Sequence, residues 1–278
     1  MADYKAPLRD MSFVLNEVFE AGKLWERLPA LAESVDTETA SAILEEAGKV
    51  AEGSIAPTNR IGDEEGCKWN DGVVTTPAGF IEAYKTYAEG GWVGVGGDPQ
   101  FGGMGMPKMI TAQIEEMINS ANLSFGLYPM LTAGACLSIH AHASEALKEK
   151  YLPNMYNGSW AGSMCLTEPH AGTDLGIIRT KAEPQVDGSY KITGTKIFIT
   201  GGEHDLTENI IHLVLAKLPD APAGAKGISL FLVPKIMVKD DGSLGEANNL
   251  SCGSIEHKMG INGSATCVMN LGLTPTKA

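Results

Sequence analysis

Apolar residues recur at spacings of three and four along the first half of the chain, and this pattern predicts a series of amphipathic helices. The first predicted apolar face consists of Met11, Leu15, Val18 and Phe19. A second helix is expected after a cap at Asp36 or Thr37, and it ends at Pro57 because the proline ring cannot continue a helix. Its apolar face consists of Ile43, Ala47, Val50 and Ala51.

Two more helices are predicted before the middle of the chain. One begins at Thr76-Pro77 and carries Phe80 and Tyr84. The other follows Pro107 and has the clearest apolar stripe in the sequence, formed by Ile110, Ile114, Met117 and Ile118. These faces are expected to pack together, so residues 1–158 are predicted to form an all-α domain.

Near Asn157-Gly158 the pattern changes to short runs rich in Ile, Val, Thr and Phe, separated by Gly, Asp and Pro. The runs predict strands at residues 190–193, 196–200, 210–217, 228–234 and 265–271. Short strands with regular turn signals favour an antiparallel β-sandwich or small barrel over residues 159–278. The predicted fold class is therefore α+β multidomain, with an all-α N-terminal domain followed by this middle β-domain.

Composition and charge restrict the possible functions. The 278 residues are 44% hydrophobic and 20% charged, which is typical of a globular protein. The 21 basic and 34 acidic residues give a net charge of −13, which argues against binding a nucleic acid. No signal peptide or membrane span is predicted, since the longest apolar run, 125–139, is too short. Five scattered cysteines without a Cys-x-x-Cys pair favour a reducing, cytoplasmic location and no zinc site.

One pattern in the sequence suggests a dinucleotide-binding site and another suggests a metal site, but neither meets the requirements of such a site. Residues 90–97 are glycine-rich, but Pro99 occupies the third-glycine position of a dinucleotide-binding fingerprint, and the strand-then-helix setting is missing. His140 and His142 are two residues apart and do not share a helix face. The sequence therefore predicts neither a Rossmann domain nor a metal site.

Residues 164–174 and 196–202 carry the most chemical information. The first segment combines a strand end, a proline, a flexible glycine and two hydroxyls, so it can present backbone N–H groups and threonines to an electron-rich ligand. In the second, Phe198 and Thr200 are two apart on a strand and share a face. That arrangement suits a flat heteroaromatic ring, with Phe198 covering its face and Thr200 bonding its edge. From the residues alone, an ordinary strand and turn remains the alternative interpretation.

The run Cys-Leu-Thr-Glu-Pro-x-Ala-Gly-Thr-Asp, followed by Lys-x-Phe-Ile-Thr-Gly-Gly, resembles the paired signature of the acyl-CoA dehydrogenase family of flavoenzymes. Residues 92–105 resemble the helical-domain loop of that family, and residues 256–266 resemble its later middle-domain motif. The opening from Asp3 resembles an extra N-terminal segment of the longer bacterial members. The resemblance covers nearly the whole chain and implies FAD held against the middle β-domain.

The resemblance also implies the roles of individual residues. The backbone of Met164 and Leu166 and the Thr167 hydroxyl are expected to meet the pyrimidine side of the isoalloxazine ring. Phe198 stands where the family more often has Trp and is expected to stack on the ring, with Thr200 bonding near flavin N5. Thr173 is expected near the FAD diphosphate and the acyl-CoA thioester, which makes it the predicted substrate-binding residue. The predicted cofactor-binding set is Met164, Leu166, Thr167, Gly172, Thr173, Phe198, Ile199 and Thr200.

The family's reaction oxidises an acyl-CoA to a trans-2-enoyl-CoA and passes the electrons to an electron-transfer flavoprotein. It needs a carboxylate base, which the resemblance places in a C-terminal helical domain that this chain is expected to lack. Glu168 is expected to be structural, so no catalytic residue is predicted, and the chain alone is expected to be inactive. The full-length protein is expected to form a homo-oligomer. The alternatives are a non-catalytic, partner-dependent subunit that binds flavin or acyl-CoA, and a fragment of an acyl-CoA oxidase.

Overall fold

The computed structural model describes residues 3–273, and its first part is built from helices. A hairpin of two short strands, β1 (Lys68–Asn70) and β2 (Val73–Thr75), lies among them and was not predicted. The α-helices of the described part are α1 (Leu8–Phe13), α2 (Ala21–Trp25), α3 (Thr37–Val50), α4 (Thr58–Glu65), α5 (Phe80–Glu89), α6 (Lys108–Ala121), α7 (Leu123–His142) and α8 (Glu145–Tyr156).

Local signals in the sequence explain where several of these helices begin. The Asp36 carboxylate accepts a hydrogen bond of 2.7 Å from the Thr39 amide and caps α3, as predicted. Helix α6 starts directly after Pro107 and buries all four residues of its predicted stripe. Helix α5 begins later than predicted, at Phe80, because Gly79 adopts a left-handed conformation just before it.

The first predicted apolar face is wrong at its C-terminal end. Met11 and Leu15 are buried, whereas Val18 and Phe19 are 56% and 55% exposed. Helix α1 continues as a π-helical turn, Val14–Val18, whose wider i→i+5 bonding rotates the later residues away from the core. A π-helical turn, Ala51–Ile55, likewise follows α3, and the chain then enters α4 after Pro57.

The second part of the chain is dominated by a seven-stranded sheet with the order β10-β11-β5-β4-β6-β3 and β7 paired to β6. The runs at 190–193 and 196–200, predicted as separate strands, form one long strand. A separate two-stranded sheet pairs β8 with β9. The strands are β3 (Trp160–Cys165), β4 (Lys181–Pro184), β5 (Tyr190–Thr200), β6 (Asn209–Lys217), β7 (Ile228–Pro234), β8 (Ile236–Val238), β9 (Leu244–Ala247), β10 (Leu250–Ile255) and β11 (Thr266–Leu271).

This sheet is mixed, which corrects the purely antiparallel arrangement predicted from the sequence. Strands β3 and β6 are parallel from Trp160↔Asn209 to Cys165↔Val214, and the end of β4 also pairs in parallel with β6. The other pairs are antiparallel. A parallel pair needs a long crossover, and the chain that includes the β4–β5 hairpin provides it.

Helix α7 joins the two parts of the molecule. Gly162 of β3 lies against this helix, and its amide donates a hydrogen bond of 3.0 Å to the Thr132 hydroxyl. The Tyr128 hydroxyl donates to the Gly263 carbonyl at 3.2 Å and accepts from the Ala265 amide at 2.9 Å. Between residues 3 and 273, no helix has the length and apolar character needed to cross a bilayer.

Candidate functional site

The carboxyl end of β3 and the loop after it form one side of the candidate site. Met164 is 36% exposed at the strand end, and Leu166 and Thr167 are half-buried. The loop then closes a tight turn in which the backbones of Glu168 and Ala171 exchange two hydrogen bonds of 3.0 Å. These bonds fix the path of the loop immediately after Thr167.

The carboxyl end of β5 forms the other side and contains a β-bulge. Lys196 pairs with Met269 and Ile199 with Cys267, so two residues of β5, Ile197 and Phe198, oppose a single residue of β11. Phe198 has a φ of +60°, in the left-handed region that bulky residues rarely adopt, and its side chain is 58% exposed.

The side chains beyond the bulge alternate between the core and the surface. Ile199 is 2% exposed and points into the core, while Thr200 is half-buried. Phe198 and Thr200 thus flank an inward-pointing residue and lie on the outer side of the strand. Ile199 can offer a ligand only its backbone.

Hydrogen bonds hold the two sides of the candidate site together. The Ile197 amide donates to the Thr167 carbonyl at 2.8 Å. The Lys196 ammonium donates to the Leu166 carbonyl at 3.0 Å. The structure therefore brings the predicted residues Leu166 and Thr167 to the strand that carries Phe198 and Thr200.

Gly172 and Thr173, also predicted as ligand-binding residues, are placed differently. They follow the turn on exposed backbone. Within residues 3–273 no hydrogen bond connects either of them to β5. Their predicted contacts with a diphosphate or thioester stay predictions.

A buried ion pair lies behind these segments. Lys196 has no exposed surface, Glu168 is 3% exposed, and the Lys196 Nζ to Glu168 Oε1 distance is 3.0 Å. The carboxylate also accepts hydrogen bonds from the Arg179 amide at 2.7 Å, from the Thr180 amide at 3.0 Å and from the Thr180 hydroxyl at 2.6 Å. All four donors favour the ionised form of the carboxylate.

The pKa of Glu168 reflects these contacts. Burial raises it, but the hydrogen bonds from Thr180, Arg179 and Lys196 outweigh burial and lower the pKa to about 2. Burial lowers the pKa of Lys196, and the neighbouring carboxylate opposes that effect. A carboxylate with so low a pKa and so many donors is a poor proton acceptor, in agreement with the structural role expected for Glu168.

The helical part contains a cavity of about 800 Å³ that the sequence did not reveal. It lies between the glycine-rich segment and helices α6 and α7, and its lining includes Trp92, Val95, Met130, Gly134 and Leu137. None of the eight predicted site residues lines it. A signal was present in α7, which is apolar on all sides and leaves Met130 and Leu137 41% and 70% exposed. A helix without a polar face needs a second apolar neighbour.

The surface at the carboxyl ends of β3 and β5 fits one part of a flavin well. An isoalloxazine ring needs an apolar surface over its face and hydrogen-bonding groups at its edge, and the Phe198 ring with the Thr167 and Thr200 hydroxyls provides both kinds of contact. In the described part of the chain the Thr167 amide has no acceptor, so it is free to donate to a ligand. No group of three or more metal-ligating side chains occurs among residues 3–273.

Comparison with known proteins agrees with this chemistry. Residues 37–159 match the family profile described as acyl-CoA dehydrogenase, N-terminal domain, and residues 163–272 match that of the acyl-CoA dehydrogenase middle domain. The chain is 45% identical over 268 residues to 3-methylmercaptopropionyl-CoA dehydrogenase of Ruegeria pomeroyi, a match that covers 96% of this chain and 45% of that protein. The chain thus spans less than half the length of this curated relative.

Solved structures show the same fold. Butyryl-CoA dehydrogenase from Megasphaera elsdenii superposes with a TM-score of 0.67 at 25% identity, covering 84% of this chain and 55% of that one. An acyl-CoA dehydrogenase from Bacillus anthracis, solved in complex with FAD, has a TM-score of 0.67 at 24% identity over 86% of this chain and 36% of its own.

Proposed function

The chain belongs to the acyl-CoA dehydrogenase family by its N-terminal and middle domains, and we propose that it forms the flavin- and acyl-binding part of an FAD-dependent enzyme that oxidises an acyl-CoA to a trans-2-enoyl-CoA. Bound FAD supplies the hydride acceptor. The observation that supports this proposal most directly is the junction of the Leu166–Thr167 loop with β5. At this junction an exposed aromatic ring and two threonine hydroxyls lie near one another, at the carboxyl ends of β3 and β5.

Each residue at this junction has a role in the proposal. Phe198 covers the face of the ring, and Thr200 donates a hydrogen bond near flavin N5. Thr167 and the backbone of Met164 and Leu166 hold the pyrimidine edge. Gly172, Thr173 and the Ile199 backbone complete the set, with Thr173 also near the thioester of the substrate.

The acyl chain of the substrate belongs, in this proposal, in the cavity of the helical part. The cavity is lined mainly by apolar groups, and its volume falls within the range of small-molecule sites. Its polar margin contains the Asp98 carboxylate and the His140 imidazole, which lie 2.8 Å apart. An apolar chain therefore gains by leaving water for this cavity.

The α-proton acceptor is proposed to lie outside the candidate site. Glu168 lies in the loop after β3, but its hydrogen bonds keep the carboxylate ionised and engaged. Without a general base, the rate is expected to fall by about 10²- to 10⁴-fold. The complete enzyme is proposed to pass its electrons to an electron-transfer flavoprotein and to assemble with further copies.

An anaerobic titration of the purified chain with FAD, followed by butyryl-CoA, tests the proposal. We expect FAD to bind, with a shift in its visible absorption, and the bound flavin to stay oxidised after butyryl-CoA is added. Thr200→Val removes the proposed hydrogen bond near N5 and is expected to weaken FAD binding about tenfold.

Thr193→Val is the matched control for this experiment, because Thr193 lies on the same strand seven residues before the proposed flavin contact. It is expected to leave FAD affinity unchanged. A folded chain that binds no FAD contradicts the proposed function. Bleaching by butyryl-CoA shows that these residues contain a proton acceptor after all.

Gly134→Leu tests whether the cavity takes the acyl chain. A Cβ added at Gly134 meets no atom within 4 Å, so the leucine side chain extends into the cavity. We expect affinity for long-chain acyl-CoA, measured by calorimetry, to fall severalfold more than affinity for butyryl-CoA. Stability should not fall, because leucine is a better helix former than glycine by about 0.8 kcal/mol.

Gly53→Leu is the control for this prediction, since Gly53 is also helical, has open space around it and does not line the cavity. If Gly134→Leu lowers the affinities for long-chain acyl-CoA and for butyryl-CoA equally, the acyl chain binds elsewhere.

A further inference from the structure

The pair formed by Lys196 and Glu168 is buried at an unusual place, directly behind the proposed flavin site. Burying two charges costs several kcal/mol unless their geometry and hydrogen bonds are very good, so a buried pair is weak support for stability alone. Here the ammonium has a second partner, the Leu166 carbonyl, in the loop that the proposed function assigns to the flavin.

The bond from Lys196 fixes the orientation of one peptide group. The described chain has no cis peptide bonds, and in a trans peptide the C=O and the N–H point in opposite directions. Because the Leu166 carbonyl points back towards Lys196, the N–H of the same peptide group, that of Thr167, points away from it. The hydrogen bond from Ile197 to the Thr167 carbonyl fixes the next peptide group.

The β-bulge explains how one strand serves both the interior and the surface. In a regular strand, Lys196 and Phe198 would share a face. The extra residue at Ile197-Phe198 breaks this alternation, and Lys196 becomes buried while Phe198 remains exposed. The inward lysine and the outward aromatic ring are therefore two consequences of one backbone feature.

We propose that Lys196 and Glu168 are positioning residues for the flavin, because they orient the Leu166–Thr167 peptide group towards it and place two opposite charges behind it. This inference rests on the proposed function. Glu168 holds the ammonium in place, and Lys196 holds the loop. The pair thereby sets the affinity for FAD and, through its two charges, the reduction potential of the bound flavin.

Variants of the two residues separate the charge effect from simple loosening of the loop. Lys196→Met leaves a buried carboxylate and is expected to weaken FAD binding about tenfold or more and to lower the flavin potential. Glu168→Gln leaves the ammonium and is expected to raise the potential. If the variants act only by loosening the loop, both shift the flavin potential in the same direction. That result overturns the proposed charge effect.

Two further variants keep the test valid if a single substitution unfolds the chain. The double variant Lys196→Met with Glu168→Met replaces the pair by apolar side chains, which buried pairs often tolerate, and is expected to fold but to bind FAD about tenfold more weakly. Lys235→Met is the matched control, because it breaks the ion pair with the buried Glu203 in the same sheet domain without touching the Leu166 carbonyl. It should leave FAD affinity unchanged.

Hydrogen exchange without FAD distinguishes failure of this inference from failure of the proposed function. In the FAD-free chain, exchange at the Ile197 amide is expected to accelerate at least tenfold in Lys196→Met and in the double variant, but not in Lys235→Met. If the parent chain binds no FAD, the proposed function fails, and unchanged exchange at Ile197 then also overturns the positioning role. If the parent binds FAD and the double variant binds it within twofold, the positioning role is wrong.

Discussion

Gly103→Ala is expected to lower the free energy of unfolding by about 3 kcal/mol. A Cβ at this position would lie 2.1 Å from the Gly97 carbonyl carbon and 2.2 Å from its oxygen, and backbone atoms cannot move aside as a flexible side chain can. The loop would have to open, although the Gly103 amide donates to Asp98 and the Gly105 amide donates to Gly97. Urea unfolding followed by circular dichroism measures the change.

Gly102→Ala is the control for this prediction. Gly102, the preceding residue, has a left-handed φ of +91°, but a Cβ there meets no atom within 4 Å. The substitution should therefore cost only the conformational penalty of about 1 kcal/mol. Equal losses in the two variants would mean that the close approach of residues 97 and 103 does not constrain the loop. Because Gly97 and Gly105 line the cavity, Gly103→Ala should also weaken acyl-CoA binding.

The glycine-rich segment shows what a sequence motif can and cannot reveal. Pro99 breaks the dinucleotide-binding fingerprint, since the pattern of glycines fails at a definite position. A Cβ at Gly97 would meet the Tyr156 ring at 2.7 Å, and the reason for Gly103 is a contact between backbone segments six residues apart. That contact depends on the path of the loop, which spacing alone does not give.

The helices were predictable where local chemistry decides the structure. The Asp36 cap and the stripe after Pro107 act within one or two turns, and both predictions are confirmed. The error at Val18 and Phe19 arises from a π-helical turn, which changes the period on which the prediction depends. The apolar character of α7 was visible, but its consequence, the cavity, needs the positions of neighbouring elements.

The candidate site was found through a resemblance, and its geometry needed the structure. The strands over 210–217 and 228–234 follow from residue type, but the parallel pairing of β3 with β6 depends on a long crossover. The bulge at Phe198 leaves no signature in the hydrophobic pattern. Lysine side chains are rarely fully buried, so the sequence does not predict the burial of Lys196. That burial depends on Glu168, which the fold places beside it.

Phe198→Ala is expected to weaken FAD binding by about 10- to 100-fold, because stacking of a heteroaromatic ring on an aromatic side chain contributes about 1–3 kcal/mol. Phe198→Gly should weaken it equally, since both variants lack the ring. The two differ in stability. Alanine keeps the left-handed strain at φ +60°, whereas glycine adopts this conformation freely.

The glycine variant is therefore expected to be more stable than the alanine variant by about 1 kcal/mol in urea unfolding. Phe198→Trp keeps an aromatic surface at this position and should bind FAD about as tightly as the parent. If Phe198→Ala binds FAD as tightly as the parent, the exposed ring does not stack on the flavin. If instead affinity falls while alanine and glycine give equal stability, the ring stacks, but its backbone conformation carries no strain. A residue with a strained backbone and an exposed side chain is expected where the residue binds a ligand.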